Sequence, residues 1–189
     1  SRSLGRPLSR ALEIEAEAAG ELIVTTVSKC LIHVFNLREA ARKGTGVQNA
    51  SVTPGRIEYL GVLGAGVMGG GIAQWLASRG IKVALSDLSP DALALGLSTV
   101  DKLLGKARTR GILTNVEARE AMDRITPVCE KIPLREGDLV IEAIVERIGA
   151  KRSLFAELDK RAPEGVPFAT NTSSLPVDSM SVAMKNRGR

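Results

Sequence analysis

Residues 57–87, IEYLGVLGAGVMGGGIAQWLASRGIKVALSD, constrain this chain more than any other stretch, because three spaced glycines stand between a strand pattern and a helix pattern. Ile57, Tyr59, Leu60, Val62 and Leu63 make the near-continuous apolar and aromatic run of a parallel strand buried on both faces. Gly64, Gly66 and Gly69 follow at once in the spacing G-x-G-x-x-G. In that spacing Gly64 allows a tight turn, Gly66 leaves the backbone open to a pyrophosphate, and Gly69 lets a helix lie close on the strand. Residues 67–79 continue as a helix whose first N–H groups, around Val67 and Met68, lack intrahelical partners and lie at the positive end of the dipole. That is an anion site made without a lysine. Gly80 stops the helix, residues 81–86 read as a second strand, and Asp87 stands at its carboxyl end. A carboxylate there accepts hydrogen bonds from both ribose hydroxyls and repels a 2′-phosphate. No arginine follows in Leu88, Ser89 and Pro90, so the dinucleotide expected is NAD, not NADP. The competing reading is a glycine-rich turn that serves only close packing of helix on sheet.

The rest of the chain extends this unit into an α/β domain, a Rossmann-type parallel sheet with an inserted helical hairpin, preceded by a helical linker segment. Residues 12–43 form a helical region with Glu13, Glu15, Glu17 and Glu21 early and Arg38, Arg42 and Lys43 late, matching the macrodipole preference. Leu31, Val34, Phe35 and Leu37 form part of an apolar face, and Gly20 with Thr25 and Thr26 predicts two helical pieces or a bend. Residues 43–55 are a linker by composition, so the boundary falls between residues 1–55 and residues 56–189. Beyond Asp87, helices over 91–110 and 114–124 form the hairpin, with Thr114 and Glu117 at capping-box spacing. Strands are predicted over 125–129, 138–143 and 167–170, and a helix over 150–161 with Leu154, Phe155 and Leu158 on one face. Ligands of open parallel sheets lie beyond the carboxyl ends of the strands. The fourth strand delivers Ile144, Val145 and Glu146 there, and the fifth delivers Asn171, Thr172 and Ser173.

The formal net charge of +5 suggests nucleic acid until it is located. Arg2, Arg6 and Arg10 lie at one end and Lys185, Arg187 and Arg189 at the other, where the chain is expected to fray. The five aromatics, Phe35, Tyr59, Trp75, Phe155 and Phe168, do not interleave with a basic stripe, so nucleic-acid binding is not expected. Cys30 and Cys129 show no CxxC spacing and have one histidine, His33, in the whole chain to join them. They read as buried free thiols, and no metal site is expected. His33 lies in the apolar LIHVF run and reads as a packing residue. With no long apolar run and no secretory pattern, the expectation is a soluble chain of a reducing compartment without a membrane span.

Three motifs, GVLGAGVMGGGIA, DLVIEAIVE and ATNTSSLPV, occur in the order and context in which the chain resembles the L-3-hydroxyacyl-CoA dehydrogenases of fatty-acid β-oxidation. The resemblance covers residues 56–180. The segment EAEAAGELIVTTVSKCLIHVFNLREAARK is similar to the linker that joins a hydratase module to the dehydrogenase module in multifunctional α-chains of that pathway. The resemblance implies NAD contacts from Met68, Asp87, Ile144, Val145, Glu146, Lys151 and Ser173, beside the candidates Gly64, Gly66, Val67 and Gly69 of the glycine turn and Asn171 at the end of the fifth strand. It implies a role for the Ser173 hydroxyl at the substrate's C3 oxygen, making Ser173 the catalytic candidate in this chain. An acyl-CoA substrate is implied, with a thiolase subunit as partner of the full-length enzyme, and a cytoplasmic location or alternatively a peroxisome or mitochondrial matrix. The family's histidine base and orienting glutamate belong to an HFFNP-like motif that this sequence does not contain, so NAD binding with little or no turnover is expected. Lys102, Lys106, Arg108 and Arg110 on the hairpin could meet CoA phosphates or form a solvated helix face, the latter being favoured. A non-catalytic NAD-binding module and a different β-hydroxyacid dehydrogenase are the alternatives; a histidine motif encoded downstream would exclude the first, and activity on short free acids would favour the second.

Overall fold

The computed structural model describes residues 5–43, 57–132, 134 and 139–188. The chain divides into two compact units, Ser1–Gly55 and Arg56–Arg189.

In the first unit, α1 (Leu8–Ile23) and α2 (Thr26–Lys43) are separated at Val24 and Thr25 and bent by 78°. The Thr25 hydroxyl donates to the Leu22 carbonyl at 2.7 Å and accepts from the Ser28 N–H at 3.2 Å, which ends one helix and starts the next. The break expected near Gly20 and Thr25 is therefore present. The macrodipole reading holds only at the far end: α2 closes on Arg42 and Lys43, but α1 begins at Leu8, leaving its first turn without an acid. Neither helix buries a residue within the described structure. His33 is exposed, as are Leu31, Val34, Phe35 and Leu37, so the packing expected of this face is not made there. Cys30 is exposed as well, and so is Cys129 in the second unit, against the expectation of buried thiols. Cys30 precedes the apolar Leu31 and Ile32 on α2 and Cys129 follows the apolar Val128, and sequence neighbours do not say which side a residue faces. The linker reading over 44–55 lies outside the described residues. Among the described residues no single helix is long and apolar enough to cross a membrane, although the bent α1–α2 pair together reaches that length and composition.

The second unit is a five-stranded parallel sheet in the order β3-β2-β1-β4-β5. Its strands are β1 (Tyr59–Leu63), β2 (Lys82–Ser86), β3 (Ile125–Val128), β4 (Leu139–Glu142) and β5 (Phe168–Thr170). Leu60, Val62, Val83 and Leu85 are buried against α3 (Val67–Ala77), α4 (Pro90–Thr109) and α5 (Asn115–Asp123). A second cluster, with Leu63, Ala84 and Val140, packs Phe155 and Leu158 of α6 (Ile148–Arg161) and Met180 of α7 (Val177–Ser181). The helices α4 and α5 are the inserted hairpin, and α5 begins with a complete capping box between Thr114 and Glu117. Two hydrogen bonds from the Thr114 backbone and hydroxyl hold the Glu117 carboxyl below the ordinary carboxylate range. The helix α7 has no counterpart in the sequence expectations.

The helix α4 crosses α3 unusually closely. A Cβ at Gly96 would stand 2.5 Å from the Ala65 carbonyl oxygen, and one at Gly70 would stand 3.1 Å from the Gly96 carbonyl oxygen. Backbone therefore rests on backbone at this crossing. Against the expected fraying, Lys185 and Asn186 are held, because Asp159 of α6 accepts their N–H groups at 2.6 Å and 3.3 Å.

Candidate functional site

Strand register lines up the carboxyl ends. Ser86 is level with Leu63, Leu63 with Glu142, and Glu142 with Thr170. The next residue on each strand, Asp87, Gly64, Ala143 and Asn171, thus forms a row across the sheet of roughly 14 Å, three strand spacings. Chain order reverses direction between β1 and β4, which opens a crevice at this row.

In the middle of the row the turn from β1 into α3 is fixed from both sides. Gly64 adopts φ +100°, where a side chain is strained, and its N–H donates to Ser86 at 2.7 Å. The Ala143 N–H donates to the Leu63 carbonyl at 2.7 Å, and a Cβ on Gly64 would come within 2.5 Å of the Ala143 oxygen. A Cβ on Gly69 would collide with the Gly64 oxygen at 1.7 Å, so α3 packs on the turn as only glycine permits. At Gly66 a Cβ would meet nothing within 4 Å, and no side chain caps α3. The N–H groups at Val67, Met68 and Gly69 are thus offered to the open side, with Val67 and Met68 exposed. This is a cradle that an anion fits and a side chain would fill.

On the β2 side, half-buried Asp87 accepts the Ala65 N–H through Oδ2 at 2.9 Å and the Ser89 N–H through Oδ1 at 3.0 Å. One backbone bond per oxygen fixes the carboxylate and leaves further lone pairs for hydroxyl donors.

On the β4 side the structure holds a polar cluster. Glu142, fully buried on β4, accepts from Lys151 Nζ at 2.7 and 2.8 Å, from the Ile144 N–H at 2.7 Å and from the Thr170 hydroxyl. Lys151, 1% exposed, gives its remaining reach to Glu146 Oε2 at 3.1 Å. Glu146 Oε1 accepts from the hydroxyls of Thr172 and of Ser174, the latter at 2.9 Å. The Thr172 hydroxyl first, and the Lys151 ammonium with it, pull the Glu146 carboxyl down to about 2. It stays ionised while its outer edge remains in contact with solvent.

The site residues expected from sequence lie on this row or in the segments that follow it, except Lys151, which is buried on α6. Lys151 is not an accessible cation: it is closed off by two carboxylates, and it reaches the crevice only through Glu146. Ile144 is half-buried, and Val145, Asn171 and Ser173 are exposed at the strand ends. The hydroxyl of Ser173 makes no hydrogen bond among the described residues. Lys102, Lys106, Arg108 and Arg110 are all exposed, as a solvated face requires. Sequence reading gave Glu142 no place in the site, although the signal was there. Lys151 precedes Phe155 by four and Leu158 by seven, placing it on the buried stripe of α6, and Glu142 alternates with buried Val140 on β4. A buried lysine and a buried glutamate demand each other.

The description that matches the chain from residue 59 to residue 189 is that of the 3-hydroxyacyl-CoA dehydrogenase NAD binding domain. The chain is 34% identical over 177 residues to the fatty acid oxidation complex subunit alpha of Pseudomonas entomophila, covering 93% of this chain. It spans about a quarter of that relative's length, 24%. Among solved structures, the 3-hydroxybutyryl-CoA dehydrogenase of Escherichia coli K12 superposes with a TM-score of 0.66 at 36% identity, over 70% of this chain and 28% of that one. The (S)-3-hydroxybutyryl-CoA dehydrogenase of Ralstonia eutropha gives a TM-score of 0.66 at 32% identity, over 70% of this chain and 47% of that one.

Proposed function

The chain belongs to the 3-hydroxyacyl-CoA dehydrogenase family as its NAD-binding domain, and from that premise we propose that it is the cofactor-holding part of an enzyme that oxidises L-3-hydroxyacyl-CoA to 3-oxoacyl-CoA in fatty-acid β-oxidation. The observation that carries this reading is the order of charge along the row: an ionised acceptor, an anion cradle, an ionised acceptor. Asp87 receives one ribose, the amides at the start of α3 receive the pyrophosphate, and Glu146 receives the second ribose. Asp87 also repels a 2′-phosphate, which selects NAD against NADP.

The chemistry that the nicotinamide supplies when bound is uptake of a hydride from the substrate's C3. Ser173, with its free hydroxyl beside the end of β5, orients the C3 oxygen. Removing the hydroxyl proton needs a base, and the one histidine in these 189 residues, His33, belongs to the helical unit before the sheet. A missing general base costs about 10²–10⁴-fold. The chain by itself therefore binds NAD with little or no turnover, and residues 1–55 serve as the linker from a hydratase-side module. In the longer protein the partners are the acyl-CoA substrate and a thiolase subunit.

The test is a fluorescence titration with NADH, with NADPH and Asp87→Ala as comparisons, followed by an assay of NADH consumption with a 3-oxoacyl-CoA. Saturable NADH binding, poor NADPH binding and negligible consumption are expected. Absence of NADH binding by a folded chain overturns the cofactor reading, and rapid consumption overturns the assignment of the base to another part of the enzyme.

A further inference from the structure

We propose that Glu142 is a positioning residue of the cofactor site, a buried carboxylate that acts through Lys151 to fix the direction in which Glu146 presents its free edge. The proposal rests on the reading of Glu146 as a ribose acceptor.

The hydrogen-bond inventory leads to it. A carboxylate offers about four acceptor sites, and Glu142 uses four: the Ile144 N–H, two contacts from Lys151 Nζ and the Thr170 hydroxyl. It has nothing left for a ligand and no solvent to reach one through. Lys151 has three donors, two spent on Glu142 and the third directed at Glu146 Oε2. All three are directed at carboxylates among the described residues. Glu146 is the one member of the chain of contacts that faces outward, and both of its oxygens are already held from within, Oε2 by Lys151 and Oε1 by Thr172 and Ser174.

Charge gives the same direction. Two carboxylates and one ammonium leave one negative charge, and burial of Glu142 and Lys151 puts the free edge of that charge on Glu146. A buried ion pair is on average no more stabilising than apolar side chains of the same volume. What this pair does that apolar residues could not is tie β4, α6 and the end of β5 to a single carboxylate. An acceptor immobilised before the ligand arrives loses less freedom on binding than one on a free glutamate chain.

The experiment is a mutant cycle read by NADH affinity, with folding checked on every variant by its melting transition. Glu146→Gln alone is expected to weaken NADH binding; an unchanged Kd removes the ribose reading, and with it the proposal. Glu142→Gln alone is expected to weaken NADH roughly tenfold, the scale of one misaligned charge-assisted hydrogen bond. The same change made in Glu146→Gln is expected to add no further loss, whereas in Asp87→Asn it adds the full tenfold. A general loosening of the fold would instead weaken binding equally in both backgrounds, and that result overturns the route through Glu146. So does a folded Glu142→Gln with unchanged affinity. Because the double variant strands Lys151 without a carboxylate, the cycle is repeated with Thr170→Val, which removes one donor to Glu142 and leaves the ion pair. Since the Thr170 hydroxyl also accepts the Thr172 N–H at 3.3 Å, and Thr172 donates to Glu146, the Thr170→Val effect is compared in the Thr172→Val background, where it must survive if it runs through Glu142. A loss of about threefold that vanishes in Glu146→Gln supports the proposal, and a loss that persists there overturns it even if the Glu142 variants fail to fold.

Discussion

Substituting Gly69 and Gly66 by alanine separates the packing role of the glycine turn from its ligand role. At Gly69 the new methyl would begin 1.7 Å from the Gly64 carbonyl oxygen, and real Cβ atoms essentially never come under 3.0 Å. The start of α3 must therefore move by about 1.3 Å against a backbone that Ser86 and Ala143 pin from either side. Overpacking of this kind costs about 3 kcal/mol. Alanine's helix preference over glycine returns at most about 1 kcal/mol, so a net loss of about 2 kcal/mol is expected. For a unit of this size that lowers the melting temperature by roughly 7 °C. At Gly66 the backbone is ordinary extended chain with φ −65° and ψ −172°, and the added methyl meets no protein atom. Stability should change by less than about 1 kcal/mol, the difference between glycine and alanine as a cap. NADH affinity should nevertheless fall at least about tenfold, because the methyl stands in the cradle. Thermal unfolding by circular dichroism and NADH fluorescence titration read the two effects. A Gly69→Ala protein that melts with the parent refutes the packing argument, and a Gly66→Ala protein that binds NADH like the parent refutes the location of the phosphates.

Asp87→Ala should lower NADH affinity about tenfold or more and reduce the preference over NADPH, and orphaning the Ala65 N–H should cost about 1 kcal/mol in urea unfolding. Lys151→Met should destabilise the chain by about 3–5 kcal/mol, since it leaves Glu142 buried without its cation; a midpoint unchanged in denaturant would mean that the pair is not buried as described. Glu146 has a folded-state pKa of about 2, depressed from 4.5, so its contribution to stability is complete above about 4.5 and is lost only as pH falls through about 2. The difference in NADH affinity between the parent and Glu146→Gln should accordingly show no step where an ordinary glutamate titrates, and a difference that disappears near 4.5 would contradict the cluster. Thr114→Ala should cost about 1 kcal/mol by opening the cap of α5, measured by thermal melting, without changing NADH affinity.

The β1–turn–α3–β2 unit was legible because each of its glycines answers a local geometric demand that the spacing records. The capping box of α5 and the break between α1 and α2 were legible for the same reason, being set by two or three neighbouring residues. What depended on distant partners was not. Cys30 and Cys129 each have an apolar residue on one side in sequence yet face outward, since local hydrophobicity does not choose a side on α2 or after the edge strand β3. His33 and the apolar residues around it show helical spacing, but spacing only proposes a face, and burial needs something to lie against it. The burial of Lys151 was not legible from its motif, because its partner Glu142 comes from another element, where sequence reads it as a structural or polar-network residue of the fourth strand.

The close rest of α4 on the turn restricts how the inserted hairpin can move. Where Gly96 lies on the Ala65 carbonyl and Gly70 lies on Gly96, backbone meets backbone, and the side chains beside the contact are those of Ala65 and Thr99. Sliding this helix along its neighbour would drive backbone against backbone at Ala65, so the hairpin is seated there more tightly than a side-chain interface would seat it. Close-packed interiors transmit such displacements instead of absorbing them. Leverage applied at the far end of the hairpin near Gly111 is therefore delivered to the peptide that follows Gly64, whose N–H is held by Asp87.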